Sequence, residues 1–206
     1  MRWWLLLCVL AGSAHAADPP GTDASRGALQ RCTAADELTG DARTKALRES
    51  LAAADAAIAA DDTDALAHFA AFCALGRLLR AEGVSVAAPL QLRRLRREVD
   101  RTLALAPDFA DALAGKGELL LNMPRLLGGD PAESERLLRR ALAIDPDYLG
   151  PRFALVEALQ ARGATEEARR EATQALAIAE RKRSPDDVRT ARARLDALGP
   201  PPAPNP

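Results

Sequence analysis

Beyond the first sixteen residues, two cysteines, one histidine and a Gly-Gly-Asp triplet are the side chains whose types and spacing invite chemistry. Cys32 and Cys73 stand 41 positions apart with no Cys-x-x-Cys between them, so neither a thioredoxin-like redox motif nor a zinc site is expected. Two cysteines in an oxidising compartment favour a disulfide; otherwise they serve as small apolar side chains in a core. His68 alone gives a histidine metal centre or a Ser-His dyad little to work with, and packing or surface placement is the simpler expectation. No Gly-x-Ser-x-Gly occurs, and no pair of carboxylates stands out from ordinary helix-surface charge. A phosphate loop at Gly128-Gly129-Asp130 would need a lysine and a preceding strand, and both are missing. Pro124, Gly128, Gly129 and Asp130 therefore read as a structural loop and helix cap. No catalytic centre, cofactor or metal is expected, and the chain is read as a non-enzyme.

Helices must supply the positions of these residues. The 206-residue chain is 48% hydrophobic but only 3% aromatic, and its aliphatic share is almost all Ala and Leu. Ala, Leu, Arg and Glu lose little side-chain entropy in a helix, whereas strands lean on β-branched and aromatic residues. Apolar residues recur at helical spacing in Leu92, Leu95, Val99, Leu103 and Leu105, and in Leu137, Leu138, Ala141, Leu142 and Ile144. Asp130-Pro131-Ala132-Glu133 places a cap, a first-turn proline and an acidic residue in order. Ser184-Pro185-Asp186-Asp187 follows the same logic and opens a last helix to Leu198, and Asp108 with Asp111 is expected to cap another.

At the start, Arg2, the apolar run from Trp3 to Leu10 and Ala14-His15-Ala16 form a secretory leader, with cleavage after Ala16. The run is too short to span a bilayer. Leu7 precedes Cys8, where a lipidation signal would have a small residue, so no lipid anchor is expected. With Arg2 gone, 27 basic residues face 29 acidic ones, a net −2 that argues against nucleic-acid or membrane-surface binding. Arg93, Arg94, Arg96, Arg97 and Arg101 form a basic run, but Glu98 and Asp100 lie four residues beyond Arg94 and Arg96, the spacing of helix ion pairs on a solvated face.

Three segments, 57–62, 102–107 and 141–146, each close an apolar helix and lead into a new Ala-rich one. The last, Ala-Leu-Ala-Ile-Asp-Pro, resembles the end of a tetratricopeptide repeat (TPR), with Gly129 and Asp130 at the mid-repeat turn and Gly117 at the first-helix glycine. Leu155, Leu159, Gly163, Ala168 and Ala175 continue the match through Glu180. The units ending at Pro146 and Pro107 run to 39 and 45 residues against a consensus of 34, with the excess at 124–128 and around 82–89. The resemblance implies an all-α, right-handed solenoid of about four helical hairpins over 24–198, best formed over 61–180, plus a C-terminal capping helix. Residues 17–23 would be flexible, and 199–206 a Pro-rich disordered tail.

That resemblance also implies a concave groove lined by first helices, here at Phe69, Cys73, Arg77, Asp111, Ala114, Glu118, Asn122, Phe153, Glu157 and Gln160. It implies a scaffold that binds a protein or peptide, without nucleic acid or membrane insertion. It further sets Cys32 and Cys73 on first helices of adjacent hairpins, which lie side by side. A disulfide there would restrict the unfolded chain by about 4 kcal/mol. The loop at 123–130 is similar to one in exported bacterial TPR proteins, some of them associated with TRAP-type solute transporters. An accessory role in solute uptake, holding a small ligand or docking a binding protein, is the alternative; those proteins are typically lipidated. The compartment expected is the periplasm. The mature protein is predicted to begin at Ala17 and to lack tryptophan; intact mass and absorbance of exported protein check this, and retention of 1–16 or a lipid on Cys8 would overturn it.

Overall fold

A computed structural model describes residues 19–82 and 88–199. The leader with its cleavage site, most of the insertion around 82–89 and the Pro-rich tail lie outside the described residues. Among the described residues there are nine α-helices and no strand: α1 (Asp23–Ala34), α2 (Gly40–Ala60), α3 (Ala65–Glu82), α4 (Ala88–Leu105), α5 (Ala110–Asn122), α6 (Pro131–Ile144), α7 (Leu149–Ala161), α8 (Thr165–Lys182) and α9 (Pro185–Ala197). They form four helical hairpins, α1/α2 through α7/α8, stacked as a solenoid, with α9 packed against α8 and α7. No helix among the described residues is long and apolar enough to cross a membrane.

Inner and outer helices differ as their neighbours dictate. In α3 and α7 residues bury almost all round, from Ala65 to Ala71 and from Phe153 to Val156, because each is flanked on several sides. In α6 and α8 burial is confined to one stripe: Leu137, Leu138 and Ala141, then Ala168, Ala172 and Ala175. Small residues set the crossings. Ala28, Ala54, Ala70 and Ala71 meet where α1, α2 and α3 join. Ser50 Oγ donates to Ala28 O at 2.8 Å, and Ser134 Oγ donates to Gly117 O at 2.7 Å, each spanning the two helices of a hairpin.

The loop between α5 and α6 takes the form expected of a structural turn. Residues Arg125–Leu127 make one 3₁₀ turn, Gly128 adopts φ 86°, and Gly129 N donates to Pro124 O at 3.0 Å. A Cβ on Gly129 would stand 1.8 Å from Met123 O, so no other residue fits. Asp130 Oδ1 accepts from Ala132 N and Glu133 N, both at 3.0 Å, and Pro131 opens α6. Two other caps differ from expectation. Ser184 makes no side-chain cap bond, although Pro185 does open α9. Asp108 does not cap α5: its carboxylate is taken by Arg140 Nη2 at 3.0 Å, and Phe109 occupies the cap position.

His68 is buried between α3 and α4, with Nδ1 2.8 Å from Glu98 Oε2 and Nε2 3.0 Å from Asp62 O. The basic run of α4 is divided among neighbours. Arg94 pairs with Asp55 and Glu98, Arg101 reaches Asp62, and Arg96 Nη2 donates to Gly128 O at 2.5 Å. The expected Arg96–Asp100 pair is absent, because Asp100 binds Lys116 Nζ at 2.6 Å on α5.

Two of the glycines on inner helices, Gly76 and Gly117, make a contrasting pair. A Cβ on Gly117 would meet Leu138 Cγ and Cδ2 at 2.9 Å and Ser134 O at 3.3 Å, against ordinary contact at 3.6 Å for Gly76. Gly117→Ala is predicted to destabilise by about 1–3 kcal/mol through overpacking, whereas Gly76→Ala is neutral or stabilises by about 0.5–1 kcal/mol. Chemical denaturation of both variants separates the two outcomes.

Candidate functional site

The second and third hairpins are set apart where the others close up. At the step of α5 occupied by Gly117, α3 carries Phe72, and its ring edge faces Gly115, where a Cβ would lie 2.6 Å from the ring. Phe72 is thus a spacer between α3 and α5, with open volume on both of its sides. On the concave side a cavity of about 570 Å³ is lined by Phe69, Phe72 and Arg77 of α3, Asp111 and Glu118 of α5, and Tyr148 beside α7. On the other side a second space of about 520 Å³ shares Phe72, Gly76, Arg80, Gly115 and Glu118 and adds the leucines Leu79, Leu92, Leu95 and Leu119. The first is mixed in polarity and the second is mainly apolar.

The walls are rigid for identifiable reasons. Phe69 packs edge-on to Phe109 at 4.7 Å and tilted against Phe72 at 6.0 Å. Arg77 is held by Asp36, with Nη2 to Oδ2 at 2.7 Å and Nε to Oδ1 at 3.2 Å, and Arg43 Nη2 meets the same carboxylate at 2.9 Å. Glu118 is half-buried, and among the described residues it has no ion-pair partner within contact distance. Burial raises its carboxyl above the ordinary carboxylate value; Arg80 opposes the shift and Glu157 adds to it. Burial likewise raises the Tyr148 phenol, with Asp111 as a hydrogen-bonding and charged neighbour.

Of the groove positions expected from sequence, Phe69, Cys73, Arg77, Asp111, Ala114 and Glu118 line the concave cavity together. Asn122 lines the second space, and its Nδ2 donates to Glu118 O at 2.8 Å. Phe153 is buried, whereas Glu157 stays exposed. Helix α9 packs beside them, placing the Arg194 guanidinium 5.2 Å above the Phe153 ring and its Nη1 2.5 Å from Glu157 Oε1. Gln160 is half-buried on α7 and lines neither space. Sequence reasoning missed Phe72, Arg80 and Tyr148. Phe72 had one available signal, an aromatic ring at the helical step that α5 gives to glycine.

Cys32 and Cys73 are brought together, but as free thiols and not as the bonded pair expected. The Arg77 guanidinium lies against both sulfurs, donating from Nη1 to Cys32 Sγ at 3.0 Å and to Cys73 Sγ. Among the described residues no group of three His, Cys, Asp or Glu side chains is placed to hold a metal ion.

The stacked hairpins with their concave cavity define a helical-repeat scaffold. Residues 125–195 match the family described as Tetratricopeptide repeat. A thermophilic TPR protein in Thermus thermophilus has the same fold at a TM-score of 0.56 and 16% identity, over 84% of this chain and 98% of that one. No curated protein matches the sequence. The match to the tetratricopeptide-repeat family thus covers the C-terminal part of the chain, and the fold as a whole is a TPR-like helical solenoid, a fold suited to protein interaction.

Glu118 gives the cleft a pH signature. Its folded-state value is raised, so the folded protein binds that proton more tightly than the unfolded chain. Its charge therefore costs stability at neutral pH, and the cost is relieved as pH falls through the raised value toward 4.5. Glu118→Gln is predicted to melt higher than the parent at pH 7, with the gap shrinking as pH approaches 4.5. Melting curves across that range check this, and a gap independent of pH would contradict it.

Proposed function

We propose that this protein is an exported, non-catalytic scaffold that holds a segment of a partner protein in the cleft between α3 and α5. The observation that carries the reading is the Phe72–Gly115 spacing, which leaves a cleft of mixed polarity open on the concave face. A peptide that rests an apolar side chain against Phe72 and sets a basic group by Glu118 and Asp111 meets complementary chemistry. Walls fixed by packing and by the Asp36–Arg77 pair need little ordering on binding, which lowers its entropic cost. The leader pattern at residues 1–16 supports placement in the periplasm, and a net charge of −1 offers no general attraction for nucleic acid.

A second reading rests on the size of the cavity. About 570 Å³ also falls in the range of small-molecule sites, which suits an accessory of a solute uptake system. The test is capture from periplasmic extract with the parent, Glu118→Arg and Asp130→Ala. The scaffold reading expects one stoichiometric protein on the parent and on Asp130→Ala, with at least about a tenfold loss on Glu118→Arg, on the order of 1.4 kcal/mol. Equal capture by Glu118→Arg overturns the cleft assignment. A small molecule in native mass spectra, with no protein retained, favours the uptake reading.

A further inference from the structure

We propose that Cys32 and Cys73 form a thiol–disulfide exchange site on the cleft wall, in which Cys73 receives an external disulfide and Cys32 resolves it. The two residues come from α1 and α3, inner helices of neighbouring hairpins that pack directly on each other. Their sulfurs share one donor, Arg77 Nη1. That shared donor sets the two sulfurs side by side, and a cation donating to both favours a negative charge on the pair. The other guanidinium nitrogens are tied to Asp36, so the cation keeps its place.

Exposure assigns the order of events. Cys73 is partly exposed and lines the concave cavity, whereas Cys32 is fully buried. An incoming disulfide therefore reaches Cys73 first. The Cys32 thiol is held below its ordinary value, chiefly because the Cys73 S–H donates to it and with help from Arg77, against the opposing effect of burial. The Cys73 thiol is raised by the same hydrogen bond and by burial. The first proton lost thus belongs to the pair, and one thiolate is shared between the two sulfurs.

The reaction balances with an external disulfide as the oxidant. Transfer of the Cys73 proton to Cys32 along their hydrogen bond puts the shared thiolate on Cys73, which attacks R–S–S–R, forming a Cys73–S–S–R bond and releasing R–S⁻. Cys32 then gives up its proton, attacks the Cys73 sulfur and forms the internal disulfide, expelling the second R–S⁻. The two protons of the cysteines end on the two R–SH products. Two thiols are oxidised by two electrons and one external disulfide is reduced. Arg77 Nη1 then faces the cavity with neither sulfur as a thiolate, which changes the charge balance of the cleft wall.

The test uses glutathione buffers of set ratio, acid quenching, alkylation of remaining thiols and peptide mapping of Cys32 and Cys73. The parent is expected to pass from two alkylated cysteines to an internal disulfide without glutathione attached, and back again in excess reduced glutathione. Cys32→Ser is expected to hold one glutathione on Cys73, and Cys73→Ser to leave Cys32 unmodified. Arg77→Gln should displace the pH–rate profile of exchange to higher pH, with Arg77→Lys restoring it, a readout that a purely structural role would leave in place. Two cysteines still alkylated at the most oxidising ratio overturn the proposal, as do separate glutathione adducts on both. An unmoved profile in Arg77→Gln removes Arg77 from the mechanism and overturns that part.

Discussion

Ala28, Ala54, Ala70 and Ala71 meet at the junction of the first three helices, and their small side chains let the backbones approach closely. That approach fixes how the second hairpin sits on the first. The buried Ser50 and Ser134 hydroxyls fit only at such short spacing, where each reaches a carbonyl on the facing helix. Gly117 extends the rule to α5 and α6, its missing Cβ filled by Leu138. Where a ring replaces the small residue, as at Phe72, the spacing opens. Gly115 then yields to the ring, and the space on either side becomes the cleft. Side-chain size at the contact thus sets the spacing both within a hairpin, at Gly117, and between hairpins, at Phe72.

Charge holds the turns between hairpins. Arg101 Nη2 donates to Asp62 O at 3.1 Å, Arg140 Nη2 to Pro107 O at 3.0 Å and Lys182 Nζ to Asp147 O at 2.8 Å. Each runs from the end of an outer helix back to the turn that opens the same hairpin. Exposed ion pairs contribute little individually, about 0–1 kcal/mol, so their role lies more in direction than in strength. Of the α4 arginines, Arg94 is occupied by Asp55 and Glu98, Arg101 by Asp62 and Arg96 by the Gly128 carbonyl.

Elsewhere the buried charged groups have partners, as Glu98 has His68 and Arg152 has Glu171, whereas in the cleft Glu118 has no ion-pair partner within contact distance among the described residues. Glu118 remains half-buried at a cost to stability, and two thiols stand against the Arg77 guanidinium on the cleft wall. Marginally stable folds tolerate such costs mainly at sites of use. The capping helix draws the boundary. Arg194 of α9 covers Phe153 and neutralises Glu157, ending the groove at the fourth hairpin.

The sequence by itself determined the helices, their pairing into hairpins and the loop around Asp130. Composition, apolar periodicity and cap spacing act over a few residues, and α6 with its cap is legible from Asp130-Pro131-Ala132-Glu133 alone. It determined too that Arg77, Asp111 and Glu118 share a concave face, because that follows from repeat register. Tertiary structure alone decided the partners. Asp108 faces Arg140 and leaves α5 uncapped, and Asp100 turns to Lys116 and not to Arg96. Arg77 reaches across to the cysteine of another hairpin. Periodicity says which face of a helix is buried, but the identity of what covers it depends on interhelix distances. Those distances are set jointly by residues far apart in the chain, as Phe72 and Gly115 set the width of the cleft.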